Sequence, residues 1–293
     1  MATRRVTTSP RLIAVVIAAL LIPYLYLYAQ YLARNLRWMP LGDDYAFHVY
    51  SALVERRDPL AILTSPSEYP GIPHLLGLLT GNPLALARAY AVYGVVLLAL
   101  GVLLYGLFFR ALGAGKAEAL AVSAAVVLGS VRTLAGILDG QLPDKTVLLV
   151  WVPISLYLYV RGRRIAAEAV AGLSLFTNYL GVAYAGVLAA AEAAFGGRKA
   201  RIFFAALVAA GAALLWYKFA TVFGLASQAE ASPGFSWNPL WGLIYGFYGP
   251  SALLLIPLAV YYLPKTEKAR PLIVTALVVL AAAMLSQAYG ERL

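Results

Sequence analysis

Apolar residues run through this chain in long blocks, separated by short polar interruptions. An α-helix rises about 1.5 Å per residue, so about 20 apolar residues cross a bilayer core. Blocks at 12–33, 84–109, 118–138, 146–160, 202–223, 240–263 and 272–289 predict membrane-spanning helices. The block at 165–195 holds 31 residues, too many for one straight span and few for two. Phe176–Gly181, "FTNYLG", lies at its centre, and Asn-Tyr ahead of a glycine favours a break there. Two short helices are therefore expected, giving nine spans, or eight if that block is one long tilted helix. The fold expected is all-α: a single polytopic transmembrane bundle over 1–293.

Composition agrees. Mean hydropathy is +0.79 and only 12% of residues are charged, about half the soluble average. A transmembrane β-barrel would need short alternating segments, and none is found. The first block looks like the apolar part of a signal peptide, but its length and the lack of a small-x-small site make it an uncleaved anchor. There is no cysteine, hence no disulfide and no thiolate metal site. Two histidines exclude a histidine-rich one.

The net charge of +10 first suggests nucleic acid, but its placement points to loop charge that orients a membrane protein. With nine spans and a cytoplasmic N-terminus, the inner loops are 1–11, 110–118, 161–168, 192–201 and 264–270. They carry 14 Lys/Arg and four acids, while the rest of the chain carries nine of each. The whole basic excess then sits on one side, as the positive-inside rule requires. Eight spans would break this segregation. The longest stretch between spans, 34–81, is expected outside.

That outer loop opens with "LGDDYAFHVYSALVERR", Leu41–Arg57. Asp44, His48, Ser51 and Glu55 share one side of a helix, with Ala46, Val49, Tyr50 and Leu53 opposite. Such a helix is expected to lie in the membrane interface with Asp43 and Asp44 at its start. The two aspartates serve there either as cap and first-turn acid, or as a general base or metal ligand, since adjacent acids raise one another's proton affinity. Further on, Pro70, Gly71 and Pro73 force a turn flanked by Glu68 and His74. Taken alone, His74 reads as a structural interfacial histidine.

Together these pieces resemble the GT-C superfamily of polytopic glycosyltransferases, which includes oligosaccharyltransferases and protein mannosyltransferases. The resemblance rests on the N-terminal anchor, the Gly-Asp-Asp-aromatic-Ala-Phe-His segment and the Tyr69-Pro70-Gly71 turn with His74. It covers residues 1–200 loosely. The family's Tyr-Pro-Pro-Gly-x-His pattern is matched with one proline missing and the histidine one position later. The resemblance implies transfer of a sugar from a polyprenyl-phosphate donor at the extracytoplasmic face. Asp43 or Asp44, with Asp43 favoured by its preceding glycine, would be the catalytic carboxylate. His48, Glu68, Tyr69 and His74 would line the substrate site. The next outer loop, "LDGQLPDK", places Asp139 and Gln141 toward sugar or metal, or else forms a solvated turn closed by Pro143. No metal is assigned; a divalent ion stays open as a cofactor.

Arg88, Arg132 and Lys218 fall within apolar blocks near the outer side. Snorkelling explains each singly. As a group they could hold the phosphate of the lipid carrier and stabilise its departure as an anion. Trp237 and Trp241 read as interface anchors or sugar-stacking rings. The chain stops soon after its last predicted span, where the family has more. The acceptor is thus expected to be a lipid, or to be recognised with a partner protein. Two rival functions remain: a non-catalytic membrane subunit, and a lipid-carrier-binding or transport protein. A transporter should show related halves with matching broken helices, and none is evident.

Overall fold

The computed structural model describes residues 43–57, 72–129 and 142–175, with isolated positions between 11 and 33 and between 133 and 213. Among these residues the structure is all-helical. α1 is Asp43–Glu55, and a 3₁₀ helix, Ile72–Leu78, packs beside it. α2, Pro83–Ala111, is the longest element. α3 is Lys116–Leu128. A composite helix, α4, joins Leu142–Thr146, a π-helical turn Val147–Trp151 and Val152–Val160. α5 is Arg164–Leu175.

α2 owes its sharp ends to its sequence. Asn82 is the N-cap, and its Oδ1 accepts from the amides of Leu84 (2.9 Å) and Ala85 (3.2 Å). Pro83 follows at the first helical position, where an amide would have no partner anyway. At the other end Ala114 N bonds Phe109 O and Gly113 N bonds Arg110 O. That paired closure needs a left-handed residue, which Gly113 supplies at φ +101°. Between the caps lie 29 residues, about 43 Å of helix, longer than a bilayer core.

This is the one described helix long and apolar enough to cross a membrane. Only 28% of its most apolar window is buried, which does not suit the core helix of a water-soluble domain. Its open side is apolar throughout: Val92, Val96, Leu100, Leu103 and Leu107 are all exposed. Its other side buries Leu86, Tyr90, Leu97 and Leu98 against Ala52, Val127, Ile137, Leu142 and Leu149. A second core joins Tyr159 and the small residues Ala167 and Ala171 to Ala185, Leu188 and Ala191.

Three expectations change. The block at 118–138 is not one helix: α3 closes at Gly129, whose amide bonds Ala125 O. "LDGQLPDK" is not a solvated turn closed by Pro143. The turn sits at Gly140 (φ +93°), and Leu142, Pro143 and Lys145 are buried in the first turn of α4. α4 also starts four residues earlier than the predicted 146. The block at 165–195 divides: α5 ends at Leu175, Thr177 lies in a turn, and described helical positions resume at 184. Trp151 Nε1 donates to Thr177 Oγ1 at 2.8 Å across that turn.

The π turn in α4 has a cause in the sequence. Pro153 has no amide hydrogen, and its ring would strike the Leu149 carbonyl of a regular helix. The wider turn relieves this, and Val152 N bonds Val147 O instead of Leu148 O. Leu148 O has then lost both helical donors, and Tyr105 Oη of α2 donates to it at 3.0 Å. Tyr105→Phe is expected to lower stability by about 1–3 kcal/mol, the cost of a buried polar group left alone. Thermal unfolding in detergent checks this. In a Pro153→Ala background the same change should cost less, because the restored amide gives the helix back a donor.

Candidate functional site

The outer-loop helix and the proline-glycine turn meet at two histidines. His48 sits in the second turn of α1 and is 2% exposed, and His74 lies in the 3₁₀ helix at 1%. His48 Nδ1 and His74 Nε2 are 2.9 Å apart, and the rings tilt 54° to one another. One nitrogen donates and the other accepts, so at least one ring is neutral at its contact atom. Burial first, and the His74 ring second, push His48 down from 6.5 to about 3. His48 is therefore an uncharged imidazole at neutral pH.

The approach is close because Gly77 permits it. A Cβ on Gly77 would lie 2.5 Å from Ala52 O, well inside contact distance. The buried Tyr90 ring of α2 closes the third side, with its centroid 6.2 Å from that of His48. One turn further along α2, Tyr93 Oη and Thr146 Oγ1 are 2.8 Å apart. Thr146 Oγ1 donates to Leu142 O at 2.7 Å, so Tyr93 is the donor to Thr146. The buried Lys145 belongs to the same first turn of α4, which packs on both the 3₁₀ helix and α2.

The two sides of α1 do not sort as polar against apolar. His48 and Ser51 of the polar side are buried beside Ala52, Val49 and Leu53 of the apolar side pack on the same core, and Ala46 and Tyr50 (69%) of that side are exposed, as is Val54 (51%). His48 turns inward where the 3₁₀ helix offers it a hydrogen-bonding partner. Apolar residues facing outward suit a non-aqueous surrounding. His48 and His74, chosen as separate substrate ligands, are instead one hydrogen-bonded pair.

Asp43 and Asp44 are the first two residues of α1. Helical register puts Asp44 one turn before His48, about 5–6 Å between Cβ atoms. Their side chains, and all of Glu68, Tyr69, Arg132, Asp139, Gln141 and Lys218, lie outside the described residues. Arg88 is exposed in the second turn of α2, as snorkelling requires. Among the described residues no group of three or more His, Asp or Glu could hold a metal ion. Sequence reasoning missed Tyr90, Tyr93 and Lys145. Lys145 could have been found, since it stands immediately before the apolar block at 146–160, and an ionisable residue at membrane depth is a functional-site candidate.

Chemically, the site offers a neutral His48 imidazole hydrogen-bonded to a second histidine, a contact along which a proton can pass, one turn after two aspartates at a helix start. Comparison with protein-family models, curated proteins and solved structures gives no match.

Two outcomes are expected. Gly77→Ala should destabilise the protein by about 1–3 kcal/mol through overpacking, seen as a lower unfolding midpoint. Acid should also unfold the protein in part through His48. The unfolded chain takes up a proton as pH falls below 6.5, and the native state resists until about 3. Stability is then lost as pH falls through that window, by at most about 1.4 kcal/mol per pH unit. His48→Gln should flatten this limb of a stability–pH profile.

Proposed function

We propose that this chain is a membrane glycosyltransferase of GT-C type, transferring a sugar from a polyprenyl-phosphate donor to an acceptor on the extracytoplasmic side. The observation that carries this reading is the His48–His74 hydrogen bond. The two sequence segments that resemble the family, Gly-Asp-Asp-x-x-x-His and Tyr-Pro-Gly-x-x-His, are separate in the chain but joined through their histidines. Two motifs tied together by a buried polar contact are the expected build of one site rather than of two unrelated turns.

Asp43 or Asp44 acts as the base that removes a proton from the acceptor hydroxyl. The hydrogen-bonded histidine pair one turn behind fixes the start of α1, and with it the aspartates. Arg132 and Lys218 hold the leaving lipid phosphate. The surrounding architecture is a bundle of nine spans with a cytoplasmic N-terminus, and loop 34–81 is outside. The apolar exposed side of α2 and the one-sided basic excess support this topology.

Transfer of labelled sugar from a polyprenyl-phosphate donor, in membranes carrying the full chain, tests the chemistry. Asp43→Asn or Asp44→Asn should lower the rate by about 100- to 10,000-fold, the range for a lost general base. Unchanged transfer in both variants removes the reading. The topology is checked by single-cysteine labelling, which the cysteine-free chain makes direct. Arg57→Cys should react from outside the cell, and Arg163→Cys only after the membrane is opened.

A further inference from the structure

A second polar cluster lies far from the histidines, at the other end of α4. Thr146 and Tyr159 are 13 residues apart along that helix, about 20 Å. Glu168 of α5 and Glu192, in the helical stretch after it, are both 0% exposed. Arg164 reaches Glu192 with Nη1 3.3 Å from Oε2, and the arginine side chain is 38% exposed against 0% for the acid. The Arg164 guanidinium also stands 5.4 Å over the Tyr159 ring. Glu168 is within Coulombic reach of both Glu192 and Arg164.

The charges do not balance. Two carboxylates face one guanidinium, leaving one negative charge in an enclosed place. Arg164 is already committed to Glu192. Both oxygens of Glu168, and Oε1 of Glu192, have no hydrogen-bond partner among the described residues. A buried carboxylate without a donor is among the costliest groups a fold can hold. Of the other groups packed around it, Tyr159 of α4 faces Glu192, and its hydroxyl can donate to a carboxylate oxygen there, but a neutral phenol brings no charge and leaves the imbalance standing. Arg161 and Arg163 in the α4–α5 turn, and Arg198 and Lys199 beyond Glu192, are exposed to the outside. A single monovalent cation closes the balance, and a proton is the one that needs no coordination shell.

We propose that Glu168 and Glu192 form a proton-binding site, in which Glu168 is a neutral carboxylic acid whose hydroxyl donates to the free oxygen of Glu192. The proton comes from solvent as the chain folds, and no bond other than O–H is made. Glu192 remains the ionised partner of Arg164. The site acts as a latch between α5 and the helical stretch at 184–195. When the proton leaves, two like charges repel inside an enclosed cluster and the two helices lose their polar contact. In the topology proposed above both glutamates lie toward the cytoplasmic side, and on that topology the latch responds to cytoplasmic pH. None of this depends on the transferase reading.

The sign follows directly. A buried acid kept neutral contributes stability while protonated, and that contribution is lost as pH rises. The test uses the full chain in detergent at constant ionic strength, from pH about 5 to about 9. In a His48→Gln background, which removes that histidine's opposite pH dependence, unfolding midpoints should fall as pH rises through neutrality. Glu168→Gln, which keeps the shape of the neutral acid, should abolish that fall and be at least as stable as wild type at the alkaline end. Infrared spectra should show a protonated-carboxyl stretch in wild type at neutral pH that is absent from Glu168→Gln. It should also vanish in Glu192→Gln, where Arg164 is released to ionise Glu168. A wild type with no such band at neutral pH overturns the proposal, whether or not either variant folds. So does a Glu168→Gln protein that is less stable than wild type at every pH. So does stabilisation at alkaline pH by sodium but not by choline, which would assign the site to a metal cation.

Discussion

A polar atom enclosed among apolar helices must find its partner inside the chain, since neither oil nor a packed interior supplies one. Most of the structure's irregular features answer that demand. Pro153 strips the Leu148 carbonyl of its helical donor, and a tyrosine from the neighbouring helix fills the vacancy. Thr146 turns its hydroxyl to the carbonyl one turn back and takes its own bond from Tyr93. Ser155 Oγ bonds Ala167 O across the α4–α5 contact at 2.8 Å. These bonds cross between elements, so they fix register where apolar packing alone would permit sliding.

The histidine pair obeys the same rule at the proposed site. One imidazole enclosed alone would be costly; here each ring gives one of its nitrogens a partner in the other. The price is a narrow geometry, met by a glycine whose missing side chain lets the 3₁₀ helix sit against the α1 backbone. Chemistry and packing are thus set by the same few residues. The glutamate cluster is the opposite case. There the available partners fall short by one charge, and the shortfall is itself informative.

Much of the fold was legible because apolar block length and cap chemistry act locally. Asn82-Pro83 at one end of α2 and Gly113 at the other state its limits within a few residues. The break in the 165–195 block followed from its length, from the Asn178-Tyr179 step ahead of a glycine at its centre and from the placement of basic residues. What could not be read was anything set by contact between distant segments. The π turn needs Pro153, but its repair needs Tyr105, some fifty residues away. Helical periodicity grouped His48 with Ser51 on one side of α1, yet the buried surface takes in both of them together with Val49 and Leu53 of the opposite group. Periodicity says which residues share a side; it cannot say that a second histidine waits to receive the first. Glu168 and Glu192 were counted as loop charges because each stands beside arginines in sequence. Their enclosure arises only when α4, α5 and the stretch after them pack together. For the candidate site, the joining of the two histidines is seen only in three dimensions.

His74 and the N-cap of α2 are separated by seven residues, five of them in the 3₁₀ helix or its closing turn. So short and ordered a tether makes the histidine pair a rigid extension of the long apolar helix. A helix of about 43 Å fits a hydrocarbon layer of about 30 Å by leaning. Any lean of α2 therefore carries the 3₁₀ helix with it and bears directly on the contact between His48 and His74.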